Sequence, residues 1–371
     1  MLCALFATAA PALADAPFMP NAKAPDYIVT METKSFGRQT AGARIHAHHA
    51  GWTRIDTIEN ERPAIRFFGH VNSVLVRFTR DASGAFSYFD IQRGSDPSPL
   101  FIRDAFKTGE MQTVLGESCH VWNVMRARDP RLTLFSCVTD DGIELWRRYV
   151  GTRDVVSSAE ATRIERRAVS PGDVRPPMEA LDLKAWNESI DQSSPRMADS
   201  PADYEVVMEP ELETTIPSAR VTRIVRRHHP WTSIDERRAD GQRTLGVRNE
   251  LSHFSLRIEV HPQNGLRQLV VNKFPLRPPS ETPVAGSPVD LDRSETVLGE
   301  TCRWFDAMPG VMDAGLHECR TADGVVLKEL RTGRGRYDTL VASRLTRRPV
   351  PLLRVLPPAN MFAPRSWDLP E

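Results

Sequence analysis

Apolar and polar residues alternate with a period of two through most of this chain. YIVTMET (27–33), ARIHAH (43–48), WTRIDTI (52–58), AIRFFG (64–69), SVLVRFT (73–79) and AFSYFDI (85–91) are short and rich in β-branched and aromatic residues. Gly, Asn, Asp or Ser separate them. Such alternation sends successive side chains to opposite faces of a half-buried strand. HVWNVMR (120–126), RLTLFSCVT (131–139), GIELWRRYV (142–150) and ATRIERRAV (161–169) continue the pattern. An antiparallel meander of nine or ten strands is expected here. One stretch departs from period two. In PLFIRDAFKTGEM (99–111), Leu100, Phe101, Ala105 and Phe106 fall at rough helical spacing and predict a short amphipathic helix. Asp141-Gly142 and Asp323-Gly324 read as two-residue hairpin turns, because both residue types accept positive φ.

The pattern is written twice. TVLGESC at 113–119 returns as TVLGETC at 296–302. DYIVTMET answers to DYEVVMEP, HHAGWTRID to HHPWTSID, and SCVTDDGIEL to ECRTADGVVL. ATRIERRAV answers to ASRLTRRPV, and Pro176-Pro177 before Trp186 to Pro357-Pro358 before Trp367. A period this long is too large for a solenoid and predicts a duplicated domain. The expected layout is a secretion signal at 1–14, a first β-rich repeat at 25–187, a linker at 188–202 and a second repeat at 203–371. The expected class is mainly β with minor α, as two tandem curved antiparallel sheets. The linker is polar and proline-bearing, and the second copy carries a proline-rich insertion, PLRPPSETPVAGSP, at 275–288.

Of 371 residues, Lys+Arg and Asp+Glu number 48 each, so net charge is zero and supplies no long-range field for nucleic acid or an anionic membrane. No apolar run is long enough for a transmembrane helix. The N-terminal run ends in Ala12-Leu13-Ala14, an A-x-A cleavage pattern that predicts export to the periplasm or beyond. Export leaves four cysteines. Cys119 and Cys137 bracket a turn near 126–130, and Cys302 and Cys319 bracket Pro309-Gly310. Strands folded back about these turns would set each pair opposite one another, within disulfide reach. In an oxidising compartment, two within-copy disulfides follow. The spacings lack the close pairs of a zinc site.

Other candidate chemistry is weaker. The His48-His49 and His228-His229 doublets invite a metal reading, but adjacent strand residues face opposite ways and no third ligand is fixed by spacing. Ser118 in GESC lacks the second glycine of a nucleophile elbow. No P-loop, dinucleotide fingerprint or H-E-x-x-H motif occurs. The sequence therefore points to no catalytic residue, metal or cofactor.

A secretion signal, DYIVTMET opening a strand, W-T-R-I-D two strands on, G-E-x-C ahead of D-G-I-E-L, and a closing PPMEALDL before a tryptophan form a recognisable layout. It resembles that of the LolA/LolB-like lipoprotein-carrier superfamily, over 27–187 and again over 204–371. The resemblance implies an unclosed half-barrel whose concave face holds acyl chains. Two copies in one chain depart from the shuttles of that superfamily, and no lipobox accompanies them. On this reading the protein is a non-enzymatic periplasmic binding protein for a hydrophobic ligand. Val29, Met31, Trp52, Ile55 and Phe67, with Val207 and Trp231 in the second copy, are its candidate liners. The rival reading is an envelope structural or protein-interaction module whose sheets leave no cavity.

Overall fold

The computed structural model describes residues 25–35, 38–59, 62–94, 106–126, 133–151, 155–186, 188, 202–211, 220–273, 288–310, 314–333 and 336–369. The secretion signal, most of the linker and nearly all of the proline-rich insertion lie outside them. Within the described residues the chain is mainly β. It has one four-residue α-helix, α1 (Leu352–Val355), and a few 3₁₀ turns.

The first half of the sequence supplies β1 (Tyr27–Ser35), β2 (Arg38–His49), β3 (Trp52–Glu59), β4 (Arg62–Gly69), β5 (Val74–Arg80) and β6 (Phe86–Arg93). It goes on to β7 (Phe106–Val114), β8 (Glu117–Arg126), β9 (Thr133–Val138), β10 (Glu144–Val150) and β11 (Val155–Glu165). The second half supplies β12 (Tyr204–Pro210), β13 (Val221–His228), β14 (Trp231–Arg238), β15 (Arg243–Asn249), β16 (Phe254–His261) and β17 (Gly265–Lys273). Then come β18 (Val289–Val297), β19 (Glu300–Asp306), β20 (Ala314–Arg320), β21 (Val326–Gly333) and β22 (Arg336–Thr346).

Contacts group these strands into two compact units. Unit 1 takes in Met1–Thr79 and Arg93–Pro176; unit 2 takes in Arg80–Gln92 and Pro177–Leu369. In unit 1 the strand order runs β7-β8-β9-β10-β11-β1-β2-β3-β4-β5, all antiparallel. In unit 2 it runs β18-β19-β20-β21-β22-β12-β13-β14-β15-β16-β17, again all antiparallel. The first strand of each half therefore pairs with the last. It sits mid-sheet, where its alternating apolar residues are most useful. Unit 2 then borrows β6 from the first half, which pairs with β17 with Asp90 opposite Val270. Neither order closes into a barrel.

Each unit has a core built on the same residues. Tyr27, Val29 and Met31 pack with the Cys119–Cys137 disulfide and Leu145. Tyr204, Val206 and Met208 pack with Cys302–Cys319 and Leu327. The bridges span Cα separations of 5.4 Å and 5.2 Å. The cysteines are not directly opposed as the turn spacing suggested. Val121 faces Cys137 and Trp304 faces Cys319, so each bridge is diagonal, and identically so in both units.

Three local expectations change. Residues 106–111, assigned to a helix, are the start of β7, an exposed strand whose apolar residues include Phe106 and Met111; 99–105 lie outside the described residues. The tight two-residue turns are Leu115-Gly116 and Leu298-Gly299, where both residues have positive φ. This explains the glycine of the repeated heptapeptide. In the Asp-Gly turns only Gly142 (φ 90°) and Gly324 (φ 83°) are left-handed. The aspartates instead accept from Thr139 and Thr321, which also bond across the turn to the backbone N–H of Ile143 and Val325. Glu188, at the start of the expected linker, is buried in unit 2 and held by Lys273, Asn249 and Ser252.

Candidate functional site

Three of the four doublet histidines, His48, His49 and His228, are held by local partners. Asp26 accepts from the backbone N–H of Val169 and pairs with Nδ1 of His49 at 2.9 Å, tying the entry of β1 to β2 and to the segment after β11. Asp203, Val350 and His228 repeat the arrangement: Val350 N–H donates to Asp203, and His228 Nδ1 lies 2.7 Å from the Val350 carbonyl. His48 is fully buried, stacked on Tyr27, and its Nε2 accepts from Gly51 N–H. Among the described residues no group of three or more His, Cys, Asp or Glu is placed to hold a metal ion.

The candidate liners are mostly core. Val29 and Met31 are fully buried in the cluster around Cys119–Cys137. Ile55 packs with Phe68 and Leu75. Phe67 stacks on Phe78 from the other side of β4. Trp231 is buried edge-on against Phe254, which in turn meets Trp186. Trp52 is half-buried, its ring lying over Gly69 so closely that a Cβ there would sit 2.7 Å from it. Val207 is half-buried and alternates with Val206 and Met208, so it faces away from the core those two build.

Charged side chains stand among apolar ones around the cleft of unit 2. Pro210 of β12, Val221 and Arg223 of β13, Glu236 of β14, Glu329 and Arg331 of β21, and Asp338 and Leu340 of β22 surround it. Arg223 is almost fully buried and reaches Glu329 at 2.5 Å and Glu236 at 2.7 Å. Arg331 adds a bond to Glu329 at 2.6 Å. Burial works against the Arg223 charge, but Glu329 and then Glu236 outweigh it and hold its pKa above the usual value. Asp338 sits at the exposed mouth.

Unit 1 has a counterpart at the same register. Arg44 faces Met31 and Arg223 faces Met208. Arg147 faces Ala159 and Glu329 faces Leu340. Arg147 is turned to Glu144, which it grips through two bonds of 2.8 Å and 2.6 Å, while Ser136 also donates to Glu144. Beside them His46 is buried with no partner at Nε2, and Arg44 has a buried Nε with none. Burial, reinforced by Arg147, pushes the Arg44 pKa down to about 10, and burial drives His46 well below the usual imidazole value.

The repeated heptapeptide forms another cluster. Glu117 and Asp141 both accept from Arg166, and Glu300 and Asp323 both accept from Arg347. The Arg166 bond holds Glu117 below its ordinary pKa. Sequence reading missed these arginines and the ionic clusters of both units. The available signal was parity: Arg44 and His46 share a strand face with each other, opposite Met31 and Val29.

Fold and site define a mainly β protein whose strands form one open antiparallel sheet, with a disulfide and an ionic cluster in each of its two units. No family model and no curated protein matches the chain. Among solved structures, an uncharacterized conserved protein from Thermus thermophilus aligns at 8% identity and TM-score 0.30, covering 42% of this chain and 88% of that one. PNGF-II aligns at 11% identity and TM-score 0.31, covering 68% of this chain and 64% of its own.

Proposed function

We propose that this is a non-enzymatic binding protein of the cell exterior whose ligand is another protein, with the unit 2 cleft receiving a cationic side chain. The observation that supports this best is where apolar and charged residues went. Val29, Met31, Ile55 and Phe67 are consumed by packing, whereas Glu236, Glu329 and Asp338 outnumber Arg223 and Arg331 around the cleft. A lysine or arginine fits such a lining: its aliphatic stem lies on Val221 and Leu340 and its head meets the acids. The two disulfides suit an oxidising compartment. The near-identical strand order of the two halves supports one duplicated unit.

Carriage of a hydrophobic ligand is the second reading, supported by the lipoprotein-carrier resemblance of the sequence layout. One pair of measurements separates them. Titration of full-length protein with N-acetyl-arginine amide should shift the methyl resonances of Val221 and Leu340, and Asp338→Asn, at an exposed position, should abolish the shift. Native mass spectrometry of gently purified protein should return the bare chain mass. A retained lipid adduct together with unmoved methyls would favour the carrier.

A further inference from the structure

The two units place the same arginine on the same strand face but surround it differently. In unit 2 the arms at positions 223 and 329 meet, although β12 and β22 lie between their strands. The equivalent arms in unit 1 belong to Arg44 on β2 and Arg147 on β10, with β1 and β11 between. There the acid is replaced by a second base. The position facing Arg223 on β14 is Glu236. Its unit 1 counterpart, one residue beyond the Ile45–Asp56 pair, is Thr57. Glu144 is the acid in contact with this cluster, and Arg147 and Ser136 already occupy both of its oxygens or share them.

Arg147 is buried and bonded to Glu144, whereas Arg44 is half-buried and has no ion pair among the described residues. Arg44 keeps a buried Nε without a partner, and His46, 6% exposed, keeps Nε2 without one on the same face. A polar atom buried without a partner costs stability. Neighbouring cations also drive His46 toward its neutral form, in which a ring N–H can still donate.

We propose that this face of unit 1 is a binding site for a phosphate-type oxyanion, free or as the head of an anionic phosphate ester, held by Arg44, His46 and Arg147. Arg44 supplies the planar fork, Arg147 the second charge, and His46 a neutral donor. Glu144 fixes Arg147 so that the site is preformed. The site is independent of the unit 2 cleft and of the partner read into it.

The test uses the full chain with inorganic phosphate against sodium chloride at matched ionic strength, followed by thermal unfolding and ³¹P line broadening. Phosphate should raise the unfolding midpoint saturably and broaden its own resonance. Arg44→Gln should weaken both effects about tenfold, the loss of one charge-assisted contact. In phosphate-free buffer Arg44→Gln should be at least as stable as wild type, because it removes a cation whose buried Nε has no partner. Co-sedimentation with phosphatidylglycerol-containing vesicles, lost in Arg44→Gln, would assign the anion to a lipid head. Phosphate binding without vesicle binding would assign it to a soluble phosphate. Absence of a phosphate-specific shift in wild type, an undiminished shift in Arg44→Gln, or marked destabilisation of Arg44→Gln without phosphate would each overturn the site.

Discussion

Unit 1 and unit 2 solve the same packing problem with the same parts. Both centre the sheet on a Tyr-x-Val-x-Met strand, both bridge the hairpin behind it diagonally, and both pin the turn with an arginine held by a Glu and an Asp. They differ at inward positions, where unit 2 balances Arg223 with Glu329 and Glu236 and unit 1 sets Arg147 near Arg44. The comparison teaches that the scaffold tolerates wide changes of inward charge because the apolar core and the disulfide, not the ionic cluster, define the fold.

The sharpest way to break that comparison is to truncate the two arginines in parallel. Arg223→Met leaves two carboxylates without their buried partner and should cost about 3–5 kcal/mol in denaturant unfolding. Arg44→Met should cost nothing measurable or stabilise. Equal losses would mean that the units are not distinguished as described. Next, replacing either disulfide with a pair of serines should cost about 3 kcal/mol, and to a similar degree in each unit, since the sequence separations are 18 and 17. A large asymmetry between the two would contradict the common framework.

Smaller effects sharpen the comparison. Arg166→Ala and Arg347→Ala, both partly exposed, should each cost up to about 1 kcal/mol. Glu117, Asp141, Glu205 and Asp235 all have folded pKa values below their ordinary ones. Their stabilisation is complete above the unfolded carboxylate pKa of about 4 and is lost as pH falls below it through the depressed folded values. A urea midpoint that stays flat from neutral pH and drops below about pH 4 is the expected profile. Gly116→Ala and Gly299→Ala should each cost about 1 kcal/mol, because both glycines hold positive φ in a tight turn.

Much of this architecture was legible in the sequence, and the reasons differ by residue. Period two betrayed the strands because each has one buried face. The repeat betrayed the cysteine pairs, although diagonal register escaped the midpoint argument: β8 and β9 are centred one residue beyond it. Helical spacing misled at 106–111, where an exposed edge of the order offers no apolar face to read. Val207 faces away from the core because three apolar residues in a row, Val206 to Met208, hide the alternation there. The ionic clusters were not legible, because arms on strands several positions apart meet only once the sheet has formed. The roles of Glu117 and Glu300 stayed hidden for the same reason, since their arginines lie 49 and 47 residues away in sequence.

The most direct test converts unit 1 into the charge arrangement of unit 2. The double substitution Glu144→Val with Arg147→Glu places an acid on β10, with two strands between it and Arg44, at the register Glu329 occupies. Unfolding in phosphate-free buffer should show the double variant more stable than wild type and indifferent to added phosphate. A variant less stable than wild type, or one whose stability still climbs with phosphate, would contradict the claim that the two units share one frame and differ in whether the arginine facing its central methionine is paired.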